Sequence, residues 1–584
     1  MELSHLLVDA VWRPSFVLKH GFLRANCDSS GQRDLEPIPW HLSQNNPINR
    51  INTLENRGSR WRIDGATRCG TQFFVTPIFQ TSLTPLRVDV FVPDQESHPQ
   101  HLRFALDSSL SVALRDGTAI RSLGISRHIC NALDHVCDRD PDFLSRYQRL
   151  PFGSKLYFTN IDADVAKMEL VTFHSHNLER QFITLEALQA EYTDSRTCID
   201  WPRPIDITKL RLIQQIHDSI SLVEVLEDDT PTRRLLIFKS NTNDHQHLYN
   251  ELALLSRMPP HPNIMSRPIH IVTKKGAFGN KHGVVGFTLP YHSKGSIRDL
   301  LPRETRGTGF SMQRRLDWAR QVTSALVHIR READTFYSDL RPDNILLKAN
   351  GDIVLCDFEQ RGNWHEWGAP EVLFRQYVKN LTSQKDSFEV STRWRNLLRM
   401  YEMLDDSTSA ISGTYMSKIN PVWAQLSGAE QEKAMVFSLG LLIYCLFEGI
   451  SNVRNNIANT WPIDPDIEFP RFRHTPESLR RIIKCCTLDA SEWDLGNEEA
   501  TNPSPGGVNL LSRVIRQGSR LVVDASEKSS PVEVIDTAMS WWTRELERAE
   551  LYGTSRERVR GMAGSKRPTL QEVSVMLDNL EVTT

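Results

Sequence analysis

Two short apolar runs, at 344–348 and 352–356, flank Ala349-Asn350-Gly351. Asn-Gly between two such runs is the strongest short-range hairpin signal, because both residues tolerate the positive φ that a tight reversal demands. The hairpin brings Asn344, at the start of one strand, close to Asp357, just past the end of the other. Asp339 precedes Asn344 by one short turn, so an acid, an amide and a second acid gather at one reversal. Taken singly, Asp and Asn are common turn residues. As an ordered set around a hairpin they have the geometry needed to grip one or two divalent cations.

The residues around this hairpin carry a resemblance. Tyr337-Ser338-Asp339-Leu340-Arg341-Pro342-Asp343-Asn344 resembles the loop H-R-D-L-x-x-x-N, and Asp357-Phe358-Glu359 resembles D-F-G, both signatures of protein kinases. Leu235-Leu236-Ile237-Phe238-Lys239 is an apolar strand ending in lysine, similar to V-A-I-K. Glu251 follows among Leu248, Leu252 and Leu255, whose spacing predicts an amphipathic helix, and His261-Pro262-Asn263-Ile264 closes it. Gly283 to Tyr291 resembles the strand and hinge that contact adenine, with Leu289 as the gatekeeper. A second amphipathic helix is expected over 316–330, leading into the loop at Asp339. Gly368-Ala369-Pro370-Glu371 matches A-P-E, and Arg567-Pro568-Thr569 resembles R-P-T. Roughly the C-terminal two thirds thus resembles the protein kinase superfamily, particularly divergent kinase-like proteins of the type found in filamentous fungi.

The resemblance implies an α+β chain. Residues 205–584 would form a bilobal kinase-like fold, with a small β-rich N-lobe at about 205–290 and a mainly helical C-lobe at about 291–584. Two insertions, at about 372–434 and 489–566, exceed the usual plan. An additional mixed α/β domain would occupy 1–204. The implied activity is transfer of the γ-phosphoryl group of ATP to a protein hydroxyl, serine or threonine preferred, with ATP and Mg2+ as cofactors. In that scheme Asp339 accepts the hydroxyl proton, Asn344 and Asp357 hold metal, Lys239 holds phosphates and Glu251 orients Lys239. Arg341 keeps a positive charge near the γ-phosphate, as a fork rather than a point. A buried Glu371–Arg567 ion pair is expected to be structural. The alternative is a pseudokinase scaffold, a nucleotide-binding regulatory protein.

Several positions depart from the pattern. Counting back from Val223, Ile216, Asp218 and Ser221 stand where the phosphate-covering loop has G-x-G-x-x-G. Without glycine the backbone approaches phosphate less closely, and Asp218 adds a repelling charge. One lost donor to developing charge costs about 3 kcal/mol, which slows an enzyme without abolishing it. Ser338 replaces the arginine that normally meets an activation-loop phosphate, and 360–368 contains no Ser, Thr or Tyr. The two absences agree, so control by activation-loop phosphorylation is not expected. Glu359 in place of glycine suggests a D-F-G segment with a fixed conformation. Met435 stands where the family carries an aspartate before its buried helix, and Tyr337 has no evident rationale.

The remaining chain sets broad bounds. At 584 residues, two or more domains are expected. The net charge of −3 gives no reason to propose nucleic acid or an anionic membrane as partner. Nine scattered cysteines argue for a reducing compartment, and Met1-Glu2-Leu3-Ser4-His5 lacks the basic start of a signal peptide. The apolar run 435–447 falls short of the roughly 20 residues a bilayer needs, so a buried core helix is expected. A cytoplasmic protein is expected; the resemblance implies a protein substrate, with the N-terminal domain and C-lobe insertions offering surfaces for further protein partners. Within 1–204, 88–92 alternates as a strand and 185–190 is expected to be a short helix. His128, Cys130, His135 and Cys137 offer four potential ligands on one stretch, but with Ile129, Leu133 and Val136 spaced among them a half-buried helix is the simpler account, and a helix would need partners from elsewhere to close a zinc tetrahedron.

Overall fold

The computed structural model describes residues 59–67, 71–80, 83–93, 124–192, 199–226, 234–240, 245–304, 310–382, 392–403, 419–451, 469–490, 531–559 and 567–580, apart from 217, 278 and 452. Short pieces at 2–3, 54–55, 98, 453, 493, 514–517 and 520–523 are described besides.

The N-terminal sheet has six strands in the order Leu54–Glu55, Trp61–Thr67, Gln72–Pro77, Val88–Phe91, Lys155–Phe158 and Leu170–Phe173. All neighbours run antiparallel except Val88–Phe91 beside Lys155–Phe158. Helix Gly124–Arg139 packs on this sheet through Ile125, Ile129 and Leu133. This is the half-buried helix that the apolar spacing predicts. Its His128 Nε2 lies 2.8 Å from Asp162 O, and burial pushes the Cys130 thiol up to about 12. Among the described residues these His and Cys side chains form no metal-binding group. The strand over 88–91 and the helix Leu185–Tyr192 match expectation.

A second six-stranded sheet forms the smaller lobe. Its order is Arg203–Asp206, His270–Lys275, His282–Pro290, Leu235–Ser240, Ile220–Val225 and Leu210–Gln215, antiparallel except for the first pair. Leu235–Ser240 lies inside the sheet, so Lys239 is buried from both sides. Gly286 is required here: a Cβ would lie 2.1 Å from Lys239 O. Helix His245–Arg257 carries Leu248, Leu252 and Leu255 on its buried face, as their spacing predicts. Phe152, Phe182, Leu188 and Tyr192 belong to the same hydrophobic cluster as this lobe.

The larger lobe is helical and centred on Gly428–Glu448, buried continuously from Ala434 onward. A capping box between Ser427 and Glu430 starts this helix, and Gly449, at φ 73°, ends it. The run 435–447 is therefore a core helix, and no helix among the described residues is long and apolar enough to cross a membrane. Met312–Arg331, Glu477–Cys486 and Leu570–Asp578 pack around it. The two lengthy additions meet each other. Helices Pro370–Thr382 and Thr392–Met403 pack on the long helix Pro531–Val559. Tyr377 meets Trp542 edge to face at 5.2 Å, and Arg393 pairs with Glu550.

Candidate active site

The hairpin that organises the sequence lies where the lobes join. Strands Ile345–Leu347 and Ile353–Leu355 pair antiparallel around Gly351, at φ 89°. Asn263, in the turn after helix His245–Arg257, accepts from Leu355 N at 2.9 Å through its carbonyl, and Gly295 O accepts from Leu347 N at 2.9 Å. Both lobes thus grip one small ladder. Cys356 N donates to Asn344 O at 3.0 Å, which fixes Asp357 beside Asn344.

Above the hairpin, Lys239 meets three carboxylates. Its Nζ lies 2.5 Å from Glu251 Oε2, 2.6 Å from Asp357 Oδ1 and 3.1 Å from Glu359 Oε1. Glu251 Oε1 also accepts from Phe358 N at 2.9 Å, tying the helix to the segment after Asp357. Burial works against the Lys239 charge, but Asp357, Glu251 and Glu359 outweigh it and hold the ammonium well above its ordinary range. Burial raises Glu251 to about 7. For Asp357 burial acts upward, yet the Lys239 charge prevails and holds it below its ordinary range. Asp357 is also the member that meets solvent, with 36% of its side chain exposed against 0% for Glu251.

Below the hairpin, Asp339 has two donors on one oxygen. Asn344 Nδ2 reaches Asp339 Oδ2 at 2.9 Å and Asp339 O at 2.9 Å, and Arg341 Nε reaches Oδ2 at 3.1 Å. Its other oxygen, Oδ1, is buried without a hydrogen-bond partner. Burial raises Asp339 to about 6. Arg341 also pairs with Asp343 at 3.3 Å and lies under the Trp364 ring, 5.0 Å from its centroid. Leu289 is buried opposite Ile237, beside the strand that carries Lys239.

Sequence reasoning missed three supports. Tyr337 donates its hydroxyl to Cys356 O, and its ring packs edge to face on Phe358 at 5.0 Å, so one side chain steadies both neighbours of Asp357. Tyr337 N lies 3.2 Å from Met435 Sδ, which puts a weak thioether acceptor at the position where the family has an aspartate. Gln360, at φ 55°, bridges Asn250 Nδ2 (3.1 Å), Thr335 Oγ1 (2.9 Å) and Phe336 O (3.0 Å). The hydroxyl of Ser338 accepts from Gly362 N at 3.2 Å, which gives it a local structural use. Farther off, Arg567 Nη2 clasps both oxygens of Glu371, at 2.9 and 2.7 Å.

The positions expected to cover phosphate run from the end of strand Leu210–Gln215 into strand Ile220–Val225, and the two strands pair antiparallel. Ile216 N donates to Ile220 O at 2.8 Å, and Ser221 lies inside the strand, its hydroxyl donating to Gln215 Oε1 at 2.8 Å. Ser240 N donates to Ser219 O at 2.9 Å, and Ile220 is the register partner of Lys239. Ile216, Ser219 and Ile220 therefore stand beside the lysine strand.

Comparison with known proteins agrees with this geometry. The protein kinase domain family model matches residues 235–494. The serine/threonine-protein kinase UCN of Arabidopsis thaliana is 28% identical over 144 residues, 25% of this chain and 33% of its own length. The serine/threonine-protein kinase SCH9 of Saccharomyces cerevisiae is 43% identical over 68 residues, 12% of this chain and 8% of its own length. The serine/threonine-protein kinase PknD of Chlamydia muridarum is 24% identical over 243 residues, 39% of this chain and 23% of its own length. The chain thus spans a third or less of the length of these relatives. With a β-rich lobe and a helical lobe meeting at the Asn344–Asp357 hairpin, and with the family match over the same stretch, residues 235–494 of this chain carry a protein kinase domain.

Proposed function

We propose that the protein is an ATP- and Mg2+-dependent protein kinase acting on a protein hydroxyl, serine or threonine preferred. The observation that carries this is the convergence of Lys239, Glu251 and Asp357 above the hairpin with Asp339 and Asn344 below it. Glu251 fixes the Lys239 ammonium, which would receive the α- and β-phosphates. Leu289 would line the adenine end. Asp339 would take the proton of the acceptor hydroxyl, and Arg341 would stand near the γ-phosphate.

The residues fit a metal. Asp357 is the solvent-facing carboxylate, and Asn344 spends its amide nitrogen on Asp339, which leaves the carbonyl Oδ1 for a cation. The unpartnered Asp339 Oδ1 faces a demand that a substrate hydroxyl would meet. A bound Mg2+ would neutralise charge on the β- and γ-phosphates. The family match over 235–494 and relatives that are serine/threonine kinases support this function. Protein partners would use the N-terminal domain and the two packed insertions, and a cytoplasmic setting fits a protein hydroxyl acceptor.

A second reading, a nucleotide-binding pseudokinase scaffold, is favoured by Glu359 resting on Lys239 and by the glycine-free hairpin. γ-Labelled ATP with Mg2+ on degenerate arrays of Ser, Thr and Tyr peptides separates the two. Label from the wild type that vanishes with Asp339→Asn supports the kinase. Retained nucleotide binding without transfer supports the scaffold.

A further inference from the structure

Strand Leu210–Gln215 of the smaller lobe lies at the edge of its sheet. An edge strand presents a row of unpaired backbone groups. Here the N-terminal region takes up three of them. Leu212 N donates to Leu83 O at 2.6 Å, Arg62 Nη2 donates to Ile213 O at 2.9 Å, and Gln215 N donates to Asp64 Oδ2 at 2.9 Å.

Asp64 reaches Gln215 because of a β-bulge. In the pairing of Trp61–Thr67 with Gln72–Pro77, Ile63 faces Val75 and Gly65 faces Phe74, so Asp64 is the extra residue. A bulge re-aims the side chain of the residue it inserts. The Asp64 side chain is 0% exposed and fully engaged: Arg62 Nε lies 2.6 Å from Oδ1, and Thr76 Oγ1 donates to Oδ2 at 2.8 Å. A buried carboxylate held by a guanidinium and a hydroxyl is a strong, fixed acceptor for one more amide. That amide belongs to Gln215, the last residue of its strand. From there the path to the lysine is short, through the Ile216–Ile220 bond and the register of Ile220 with Lys239.

We propose that Asp64 is a positioning residue for the nucleotide phosphates, by which the N-terminal sheet clamps the root of the phosphate-covering hairpin. The inference rests on the nucleotide-binding function proposed above. A glycine-rich loop adapts its backbone to the phosphates. A loop without glycine has less freedom to adapt, so its placement matters more, and the clamp supplies that placement from outside the lobe. Residues 59–93 thereby gain a role in the site that lies across the domain junction.

The test uses the full chain, titrated with Mg·ATP and separately with adenosine, which has no phosphates. Asp64→Ala is expected to weaken Mg·ATP about tenfold and leave adenosine unchanged. Asp64→Asn, which keeps one oxygen acceptor, should fall between it and the wild type. A parallel loss of both ligands, as general damage to the lobe would cause, overturns the proposal, and so does an unchanged Mg·ATP affinity. Should Asp64→Ala fail to fold, Arg62→Gln withdraws the donor to Ile213 O and is read with the same pair of ligands. Hydrogen exchange tests the clamp without nucleotide. Amides 215–221 should exchange at least tenfold faster in Asp64→Ala while 235–240 keep their rate, and unchanged rates at 215–221 contradict the clamp. A wild type that binds neither ligand defeats the nucleotide-binding function itself, and the exchange rates then decide the clamp alone.

Discussion

Glu359 places its Oε1 3.1 Å from Lys239 Nζ and its Oε2 2.5 Å from Arg361 Nε, so the residue that stands in the position of the D-F-G glycine sits on Lys239. A nucleotide held as proposed would share Lys239 with three carboxylates rather than two. Removing the Glu359 charge while keeping its volume should relieve repulsion of the phosphates. Glu359→Gln is expected to tighten Mg·ATP by about 1 kcal/mol, roughly fivefold, in a calorimetric titration. Weaker binding would mean that Glu359 helps to hold Lys239 in place.

Tyr337→Phe keeps the ring against Phe358 and removes only the hydroxyl that serves Cys356 O. The carbonyl loses its side-chain donor next to Asp357. A loss of about 1 kcal/mol in urea denaturation is expected, together with weaker Mg2+-dependent nucleotide binding. Binding unaltered at the reduced stability would separate Tyr337 from the metal-holding segment.

The Glu371–Arg567 clasp is nearly free of solvent, at 3% and 1% side-chain exposure. Burial opposes the Arg567 charge, but Glu371 outweighs it and raises the guanidinium further above its usual range. Glu371→Ala takes one carboxylate from that buried charge, leaving Asp489 2.9 Å from Nε, and should cost about 3 kcal/mol of stability. The double change Glu371→Leu with Arg567→Met should cost less than Glu371→Ala alone, measured by denaturation of the full chain. An equal or larger cost would show that the pair itself, rather than the charge left short of a partner, carries the stability.

Ser338 binds the backbone at Gly362, and 360–368 carries no phosphorylatable residue. Phosphatase treatment is therefore expected to leave the rate of phosphoryl transfer unchanged. Ser338→Arg should destabilise the segment without conferring dependence on phosphorylation. A mutant that became phosphorylation-dependent with no added site would contradict this.

The parts of the molecule legible in the sequence are those set by local chemistry. Asn350-Gly351 dictates its hairpin, and the spacing of Leu248, Leu252 and Leu255 dictates a helix face, because turn preference and helical period act over a few residues. The Glu371–Arg567 pair was readable through its two motifs. Other features depend on contacts between distant residues. Asn250 reaches Gln360 across 110 positions, and Asp64 reaches Gln215 across 151. Neither residue type signals its partner. The parallel pairing of Val88–Phe91 with Lys155–Phe158 is equally silent, since alternation marks a strand but not its neighbour. The two insertions were visible as excess length, whereas their packing through Tyr377 and Trp542 was not.

The central claim is that Lys239, Asn344 and Asp357 form a working metal–nucleotide site, and thermal unfolding with ATP, with and without Mg2+, tests it most directly. The wild type should gain several degrees with Mg·ATP, less with ATP alone, and Asp357→Ala should lose the Mg2+-dependent part. A wild type whose unfolding temperature does not respond to Mg·ATP would contradict the account.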